Sequence, residues 1–134
     1  YLGQKDYQQC MVIKKLVELE NINTTIHICP TLRETSGLAM SSRNMRLTEE
    51  SQKQALKIYE TLSYLKNNSK PGNLTALKQT AIDNLTNAGF KVDYIEIADA
   101  GNLDIINHWD GNSKLVAVAA AFLGEVRLID NMLL

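Results

Sequence analysis

The feature that most constrains the fold is a long apolar segment near the end of the chain, which stops at a glycine. The residues from Leu115 to Leu123 form the longest uninterrupted apolar run of the 134-residue sequence. This run is far shorter than the roughly 20 residues that a membrane-spanning helix needs. Together with the β-prone residues that follow it, the run predicts two strands, over 115–122 and 125–129, joined by a tight hairpin at Gly124.

Two amphipathic helices are predicted ahead of these strands. Apolar residues recur at steps of three and four over 48–66, and Thr48 is a favourable N-cap for this helix. A turn cluster over 67–72 separates it from a second helix over 73–88. Gly89 is the natural residue to follow the end of that second helix.

A third strand is predicted directly after the helices, over 91–98, followed by a loop over 99–113. Because the helices come first and the strands follow, this part of the chain is typical of the α+β class. We expect carboxyl-terminal helices packed on a small three-stranded antiparallel sheet.

The amino-terminal segment is organised differently. A helix is predicted over 4–21 and a short strand over 24–29, which ends at Pro30. The chain opens at Tyr1 without a helix start or a strand of its own. We therefore expect it to be part of a longer protein.

The composition argues against several classes of protein. The formal net charge is −1 and the sequence has no basic stripe, so no nucleic-acid partner is expected. No segment has the length of a membrane helix, and no membrane partner is expected. Cys10 and Cys29 lack metal-binding spacing and are predicted to be reduced, buried thiols of a cytoplasmic protein. His27 is predicted to pack in the core, and His108 to lie at the surface.

The first candidate site begins at Gly3. A glycine followed by a helix N-terminus can bind an anion or a nucleotide, because free amide groups point outward there. Lys5 adds a mobile positive charge and Asp6 adds an acceptor. Gln9 lies one turn after Lys5 and should face the same side. An ordinary polar first turn of a helix is the alternative interpretation.

The second candidate site lies in a polar loop predicted over 31–47. Ser41, Ser42 and Arg43 supply hydroxyl groups and a guanidinium that can gather triphosphate oxygens and stabilise leaving pyrophosphate. Met40 could line an adenine pocket or anchor the loop. The alternative is a solvated loop that leads into the helix at residue 48. Earlier in the same loop, Arg33 and Glu34 are expected to pair with each other.

In combination, these segments closely resemble the pantothenate synthetase (pantoate–β-alanine ligase) family. Three segments match in order and spacing and two tail segments match more loosely: 3–9, 30–34, 37–44, 92–94 and 127–131. The resemblance implies condensation of pantoate with β-alanine, using ATP and Mg²⁺, through pantoyl adenylate with release of pyrophosphate and then AMP. It also implies that 1–31 is the last helix and strand of a Rossmann-like nucleotidyltransferase domain. Residues 32–134 would be the α+β lid domain that closes over the site.

The resemblance also implies roles for the residues of the first segment. Gly3 would lend backbone contacts to ATP, and Lys5 would be catalytic by steadying the α-phosphate as it becomes five-coordinate. Asp6 would help to position the nucleotide or the incoming amine. Gln9 would donate or accept a hydrogen bond with pantoate.

In the second segment, the implied roles concern adenine and the outer phosphates. The backbone at Leu32 and the region of Met40 would border the adenine ring. Ser41, Ser42 and Arg43 would hold the β- and γ-phosphates, with Arg43 as the second catalytic residue. No residue of the chain is predicted to bind a metal directly.

The family's amino-terminal half carries paired histidines for ATP, a second glutamine for pantoate and acidic residues near Mg²⁺, and none of these is found here. We therefore expect a carboxyl-terminal part that is inactive alone, from an enzyme that forms a homodimer. The alternative is a non-catalytic dimerising or interaction module, in which 1–31 acts as an exchanged arm because an orphaned strand is a template for pairing.

Overall fold

The computed structural model describes residues 1–134 and contains three α-helices, seven β-strands and two short 3₁₀ helices, Gln4–Asp6 and Ser42–Arg46. The α-helices and strands, in chain order, are β1 (Leu2–Gly3), α1 (Tyr7–Leu19), β2 (Ile28–Cys29), α2 (Glu49–Asn68), β3 (Gly72–Asn73), α3 (Thr75–Asn87), β4 (Lys91–Asp99), β5 (His108–Trp109), β6 (Leu115–Leu123) and β7 (Val126–Leu133). No helix combines the length and the apolar character that crossing a membrane would require.

The central element is a three-stranded antiparallel sheet, as predicted, and its strands follow the order β4-β6-β7. Gly124 has a positive φ of 59°, and the chain turns there between β6 and β7. β7 is longer than expected, because it continues through Asp130 and Asn131 to Leu133. These two polar residues favoured an end at Ile129, but their side chains have hydrogen-bond partners and are buried in the sheet.

Helices α2 and α3 cover one face of the sheet. Their apolar residues join those of the strands in a core cluster of 18 buried residues, in which Leu62, Leu65 and Leu85 are fully buried. Both helices match their predicted positions within two residues. Thr48 caps α2, since its hydroxyl accepts a hydrogen bond from the Ser51 backbone N–H at 3.1 Å.

The opposite face of the sheet meets the start of α1. Tyr7 packs with Ala98, Val116 and Val118 in a second cluster of four buried residues. The Tyr7 hydroxyl donates a hydrogen bond to the Ala100 carbonyl at 2.6 Å, which satisfies the polar end of a buried ring. This contact fixes the first turn of α1, and with it the residues that precede Tyr7, against the sheet.

The segment before residue 31 departs from the predictions in several ways. The opening residues do form a strand, since β1 pairs in parallel with β2, and β2 is only two residues long. The prediction of a core position for His27 is wrong, because its side chain is exposed and stacks on the Tyr1 ring at 5.0 Å. Cys10 is buried as predicted, whereas Cys29 is exposed. The reason is that β1 and β2 form a two-stranded sheet without a covering layer.

A third small sheet joins two regions that were predicted as turn and loop. β3 pairs antiparallel with β5, so that Asn73 lies opposite His108 and Gly72 opposite Trp109. The Trp109 indole N–H donates to the Ser113 carbonyl at 2.9 Å, and His108 is exposed, as predicted. These short strands hold the long connection between β4 and β6 against the start of α3.

Candidate functional site

The Gly3 segment begins with an extended residue and a single 3₁₀ turn rather than an α-helix. Gly3 has φ −79° and ψ 128°, and a Cβ added there would meet no atom within 4 Å. Open space therefore lies beside the Gly3 backbone. Lys5 and Asp6 lie in the 3₁₀ helix, and α1 begins at Tyr7, later than the predicted residue 4.

Cys10 supports this segment from inside the molecule. Its thiol donates a hydrogen bond to the Gly3 carbonyl at 3.3 Å, and its side chain is 1% exposed. Burial, followed by the negative charge of Asp6, raises the pKa of Cys10 above its ordinary value. The thiol is therefore a neutral packing group behind the Gly3 backbone and not a nucleophile.

The polar loop is more ordered than the sequence indicated. Arg33 and Ala39 form an antiparallel β-bridge, and the Met40 N–H donates to the Leu32 carbonyl at 2.9 Å. Ser41 then caps the 3₁₀ helix Ser42–Arg46, because its hydroxyl accepts the Arg43 N–H at 3.2 Å. The loop is thus a small hairpin that leads into a capped turn.

The two candidate segments meet at one pocket. Lys5 from the first segment and Ser41 and Arg43 from the second all line it. α2 and β7 supply the remaining wall, together with loop residues: Leu38, Ala39, Asn44, Ala55, Ile58, Tyr59, Leu128, Ile129 and Asp130. Two cationic side chains and a hydroxyl therefore converge on one space with an apolar wall, which is an arrangement suited to binding an anion.

Lys5 also borders a second space next to this pocket. The neighbouring groove is lined by Lys5, Asp6 and Gln9, and by Tyr94 across the sheet. Lys5 and Gln9 thus lie on the same side, as their spacing predicted. A ligand that reached from the groove to the pocket would pass Lys5.

Not every candidate residue lines the pocket. Leu32 is 75% exposed and Met40 is 46% exposed, so both apolar side chains project into solvent. Ser42 is exposed at the start of its 3₁₀ helix. These residues lie at the rim, and the roles predicted for them in binding adenine and phosphate stay predictions.

The expected pairing of Arg33 with Glu34 is wrong. The Arg33 guanidinium donates two parallel hydrogen bonds to the Asp130 carboxylate, at 2.6 and 2.9 Å, and Glu34 is exposed. The same guanidinium donates to the Gly37 carbonyl at 3.1 Å and lies 4.9 Å from the centroid of the Tyr59 ring. A buried carboxylate is a stronger partner than an exposed neighbour, because the pair is shielded from water.

Asp130 and Asn131 are functional candidates that sequence reasoning did not single out. Both are buried, and between them they contact the Lys5 segment and the loop. Only the loose match over 127–131 gave a signal for them. Their partners lie about a hundred residues earlier in the chain, and no local pattern connects the two regions.

The site therefore belongs to the class of pockets in which lysine, arginine and serine side chains converge on a space that an anion can enter, and here the Asp130 carboxylate in the wall is paired with Arg33. Comparison with known proteins narrows this class. The family model for pantoate-beta-alanine ligase matches residues 1–133. The chain belongs to the pantoate-beta-alanine ligase family.

Individual relatives agree with this family. The pantothenate synthetase of Azobacteroides pseudotrichonymphae is 40% identical over 133 residues, covering 98% of this chain and 48% of that protein. That of Thermotoga neapolitana is 40% identical over 137 residues, covering 100% of this chain and 48% of that protein. The chain thus spans about half the length of the curated relatives that it matches.

Solved structures give the same result. The pantothenate synthetase of Thermus thermophilus superposes with a TM-score of 0.87 at 30% identity, covering 98% of this chain and 48% of that one. The pantoate-beta-alanine ligase of Francisella tularensis, solved in complex with beta-gamma ATP and beta-alanine, superposes with a TM-score of 0.66 at 39% identity. The match covers 99% of this chain and 42% of that one.

Proposed function

We propose that this chain supplies the lysine and the phosphate loop of the active site of an ATP-dependent ligase that joins pantoate to β-alanine. The observation that carries the proposal is the shared pocket, where Lys5 meets Ser41 and Arg43 from a separate segment. Because the chain spans half the length of its relatives, we expect it to act as part of a longer enzyme and to be inactive alone.

In the first step, the pantoate carboxylate attacks the α-phosphate of ATP to form pantoyl adenylate and pyrophosphate. Negative charge then builds on the α-phosphate and on the leaving pyrophosphate. Lys5 stabilises the former, while Arg43, Ser41 and Ser42 hold the β- and γ-phosphates. Preorganised charges of this kind provide the largest single contribution to many such reactions.

In the second step, the β-alanine amine attacks the acyl carbon and AMP leaves. Gln9 lies in the groove beside Lys5, which supports its role in binding pantoate, and Asp6 in the same groove orients the nucleotide or the amine. Gly3 offers an unobstructed backbone to ATP. The Francisella tularensis relative was solved in complex with beta-gamma ATP and beta-alanine, which supports ATP and β-alanine as ligands of the proposed site.

The adenine ring is assigned to the exposed rim of the pocket. Leu32 and Met40 are both exposed there and are joined by a backbone hydrogen bond of 2.9 Å. Covering these apolar side chains with a flat aromatic base would remove them from water. The same contact would place the triphosphate towards Ser41 and Arg43.

Mg²⁺ belongs to the proposal through the resemblance alone. The chain contains no group of three or more His, Cys, Asp or Glu side chains that could hold a metal ion. The steps above use side chains of the chain itself. The cytoplasmic location, the domain division at residue 31 and the Rossmann-like nature of 1–31 stay predictions.

The proposal is tested by AMP release that requires both pantoate and β-alanine. The chain should be assayed alone and as part of the intact ligase, completed by the amino-terminal half of a relative. We expect turnover only from the intact ligase. Arg43→Ala should lower kcat by about 10²–10³-fold, as removal of one transition-state donor does in other enzymes.

Arg46→Ala is the matched control. Arg46 is an exposed arginine of the same 3₁₀ helix, and it does not line the pocket with Lys5. Its removal should leave kcat unchanged. Equal losses in both variants, or full activity of the chain alone, would contradict the proposal.

A dimerising module is the second candidate, and one observation favours it. Three apolar residues of α1 are exposed, namely Val12, Leu16 and Leu19, by 66%, 51% and 64%. A second copy of the chain could cover them, either as an exchanged arm or in the expected homodimer. Light scattering at increasing protein concentration decides this, because a strict monomer at high concentration would contradict it.

A further inference from the structure

Two neighbouring residues of β7, Asp130 and Asn131, contact the Lys5 segment and the loop that leads to Ser41. Their side chains lie on opposite faces of the strand. Successive side chains of a strand point to opposite faces. Asp130 lies on the side of α2 and lines both the pocket and the groove, whereas Asn131 lies on the side of Tyr7 and lines the groove but not the pocket. One dipeptide therefore contacts both candidate segments.

Asn131 holds the backbone of the catalytic lysine segment. Its side-chain NH₂ group donates to the backbone carbonyls of Gln4 and Lys5, each at 2.9 Å. Its side-chain oxygen accepts a hydrogen bond from the side-chain amide of Gln4 at 3.3 Å. Asn131 is only 2% exposed. A reversed amide would set its oxygen against two carbonyl oxygens, so this orientation is the one that the surroundings dictate.

Asp130 holds the base of the phosphate loop through Arg33. Its carboxylate accepts both guanidinium hydrogen bonds and also the Asn131 backbone N–H at 2.8 Å. Arg33 in turn donates to the Gly37 carbonyl, where φ is +100° and an added Cβ would lie 2.5 Å from the Tyr59 ring. The turn that leads to Ser41 is thereby fixed relative to β7.

We propose that Asn131 and Asp130 are positioning residues, which set the distance between Lys5 and the phosphate-binding loop that contains Ser41 and Arg43. This inference rests on the proposed function of the pocket. Neither side chain has to touch a reacting atom. Asn131 acts through the Lys5 backbone and Asp130 acts through Arg33.

The test is a double-mutant cycle in the intact ligase. Asn131→Leu keeps the branched shape and the number of heavy atoms of the side chain and removes its hydrogen bonds. We expect kcat to fall on the order of tenfold with KM for pantoate nearly unchanged, since a shift of about 1 Å can cost about a hundredfold. In the Lys5→Ala background the same substitution should change the single-turnover rate of adenylate formation less than about twofold, because coupled residues are not additive.

Asp130→Asn provides a second, independent route. It keeps the shape of the side chain and weakens the pairing with Arg33, so kcat should fall and KM for ATP should rise. Asp93→Asn is the matched control: the Asp93 Oδ2 atom accepts two hydrogen bonds from Arg127 on the exposed part of the sheet, and Asp93 lines neither the pocket nor the groove. This control should leave both constants unchanged.

The outcomes of these tests are distinct. Equal losses from Asn131→Leu with and without Lys5, or unchanged kcat in both β7 variants, would overturn the positioning role. If Asn131→Leu does not fold, as judged by its thermal unfolding, Asn131→Ser takes its place in the same cycle. A parent enzyme without activity that depends on pantoate and β-alanine would instead overturn the proposed function, and this inference with it.

Discussion

The two faces of the central sheet are held by different kinds of interaction. On one face, α2 and α3 bury a continuous apolar core of 18 residues. On the other face, the apolar cluster has only four buried residues, Tyr7 among them, and the side chains of Asn131 and Tyr7 add hydrogen bonds to it. The first face is stabilised by area removed from water, which does not depend on direction. The second depends on a few directional bonds, and it is the face that carries Lys5.

This difference separates folding from function within one small molecule. A change on the α2 and α3 face should act mainly on the free energy of unfolding. A change on the Tyr7 face should act on the geometry of the site, at a smaller cost in stability. The predictions that follow test how the two faces differ in their contribution to stability, starting with the largest expected effect.

Leu62→Ala should cause the largest loss of stability. Leu62 is 0% exposed in the core beneath α2. Removing its side chain leaves a cavity, and the free energy of unfolding should fall by about 2–5 kcal/mol. Urea unfolding followed by circular dichroism measures the change. A loss well below this range would mean that the core is not the main source of stability.

Tyr7→Phe should have an intermediate effect. The variant keeps the ring and deletes the hydroxyl, which leaves the Ala100 carbonyl without that donor. The free energy of unfolding should fall by about 0.5–1.5 kcal/mol, the usual net contribution of one hydrogen bond. Tyr64→Phe is the control, because the Tyr64 hydroxyl has no hydrogen-bond partner in the structure and its removal should change little. Indistinguishable results for the two variants would remove the basis for assigning directional bonds to this face.

Alkaline pH should weaken the Tyr7 face through two of its groups. Burial is the main reason that the pKa values of Tyr7 and Cys10 lie above their ordinary values of 10.0 and 9.0. As pH rises past those values, the unfolded chain loses these protons first, so the folded state binds more protons and its stability falls. The stability that each group contributes is fully present below its ordinary pKa. It is lost as the pH rises through the raised pKa of the folded state. Urea unfolding from pH 7 to pH 10 should therefore show a decline that is shallower in Cys10→Ala, and parallel declines would contradict the role of this thiol.

Leu16→Ala should have the smallest effect. Leu16 lies on α1 and is 51% exposed. The free energy of unfolding should change by no more than about 0.5 kcal/mol, as for most surface substitutions. A larger loss that grows with protein concentration would show that copies of the chain cover this face of α1 in solution. The two faces of the sheet would then be more alike than they are in one copy.

Local patterns in the sequence predicted the first face well. The spacing of apolar residues located α2 and α3, Thr48 marked the start of α2, and Gly89 marked the end of α3 with a positive φ of 88°. Each of these signals acts within a few residues. Such signals can be interpreted without knowledge of the rest of the molecule.

The site was only partly accessible to the same reasoning. Hydroxyl and charged groups drew attention to Lys5, Ser41 and Arg43, and the structure brings them to one pocket. The partner of Arg33 could not be predicted, because Asp130 is 97 positions away in sequence. The exposure of His27 depended on which layers cover its short strand, and this is also a property of the whole fold.

The bonds made by Asp130 and Asn131 also have a consequence for folding kinetics. The Arg33–Asp130 pair and the Gln4–Asn131 pair close chain segments of 97 and 127 residues. Closing segments of this length costs entropy before any bond is formed, so contacts that are far apart in sequence slow folding. We expect the helical hairpin of α2 and α3 to form early and the pocket to form last. Ligand binding at the pocket would then report the slowest phase of refolding, after the helical signal has already recovered.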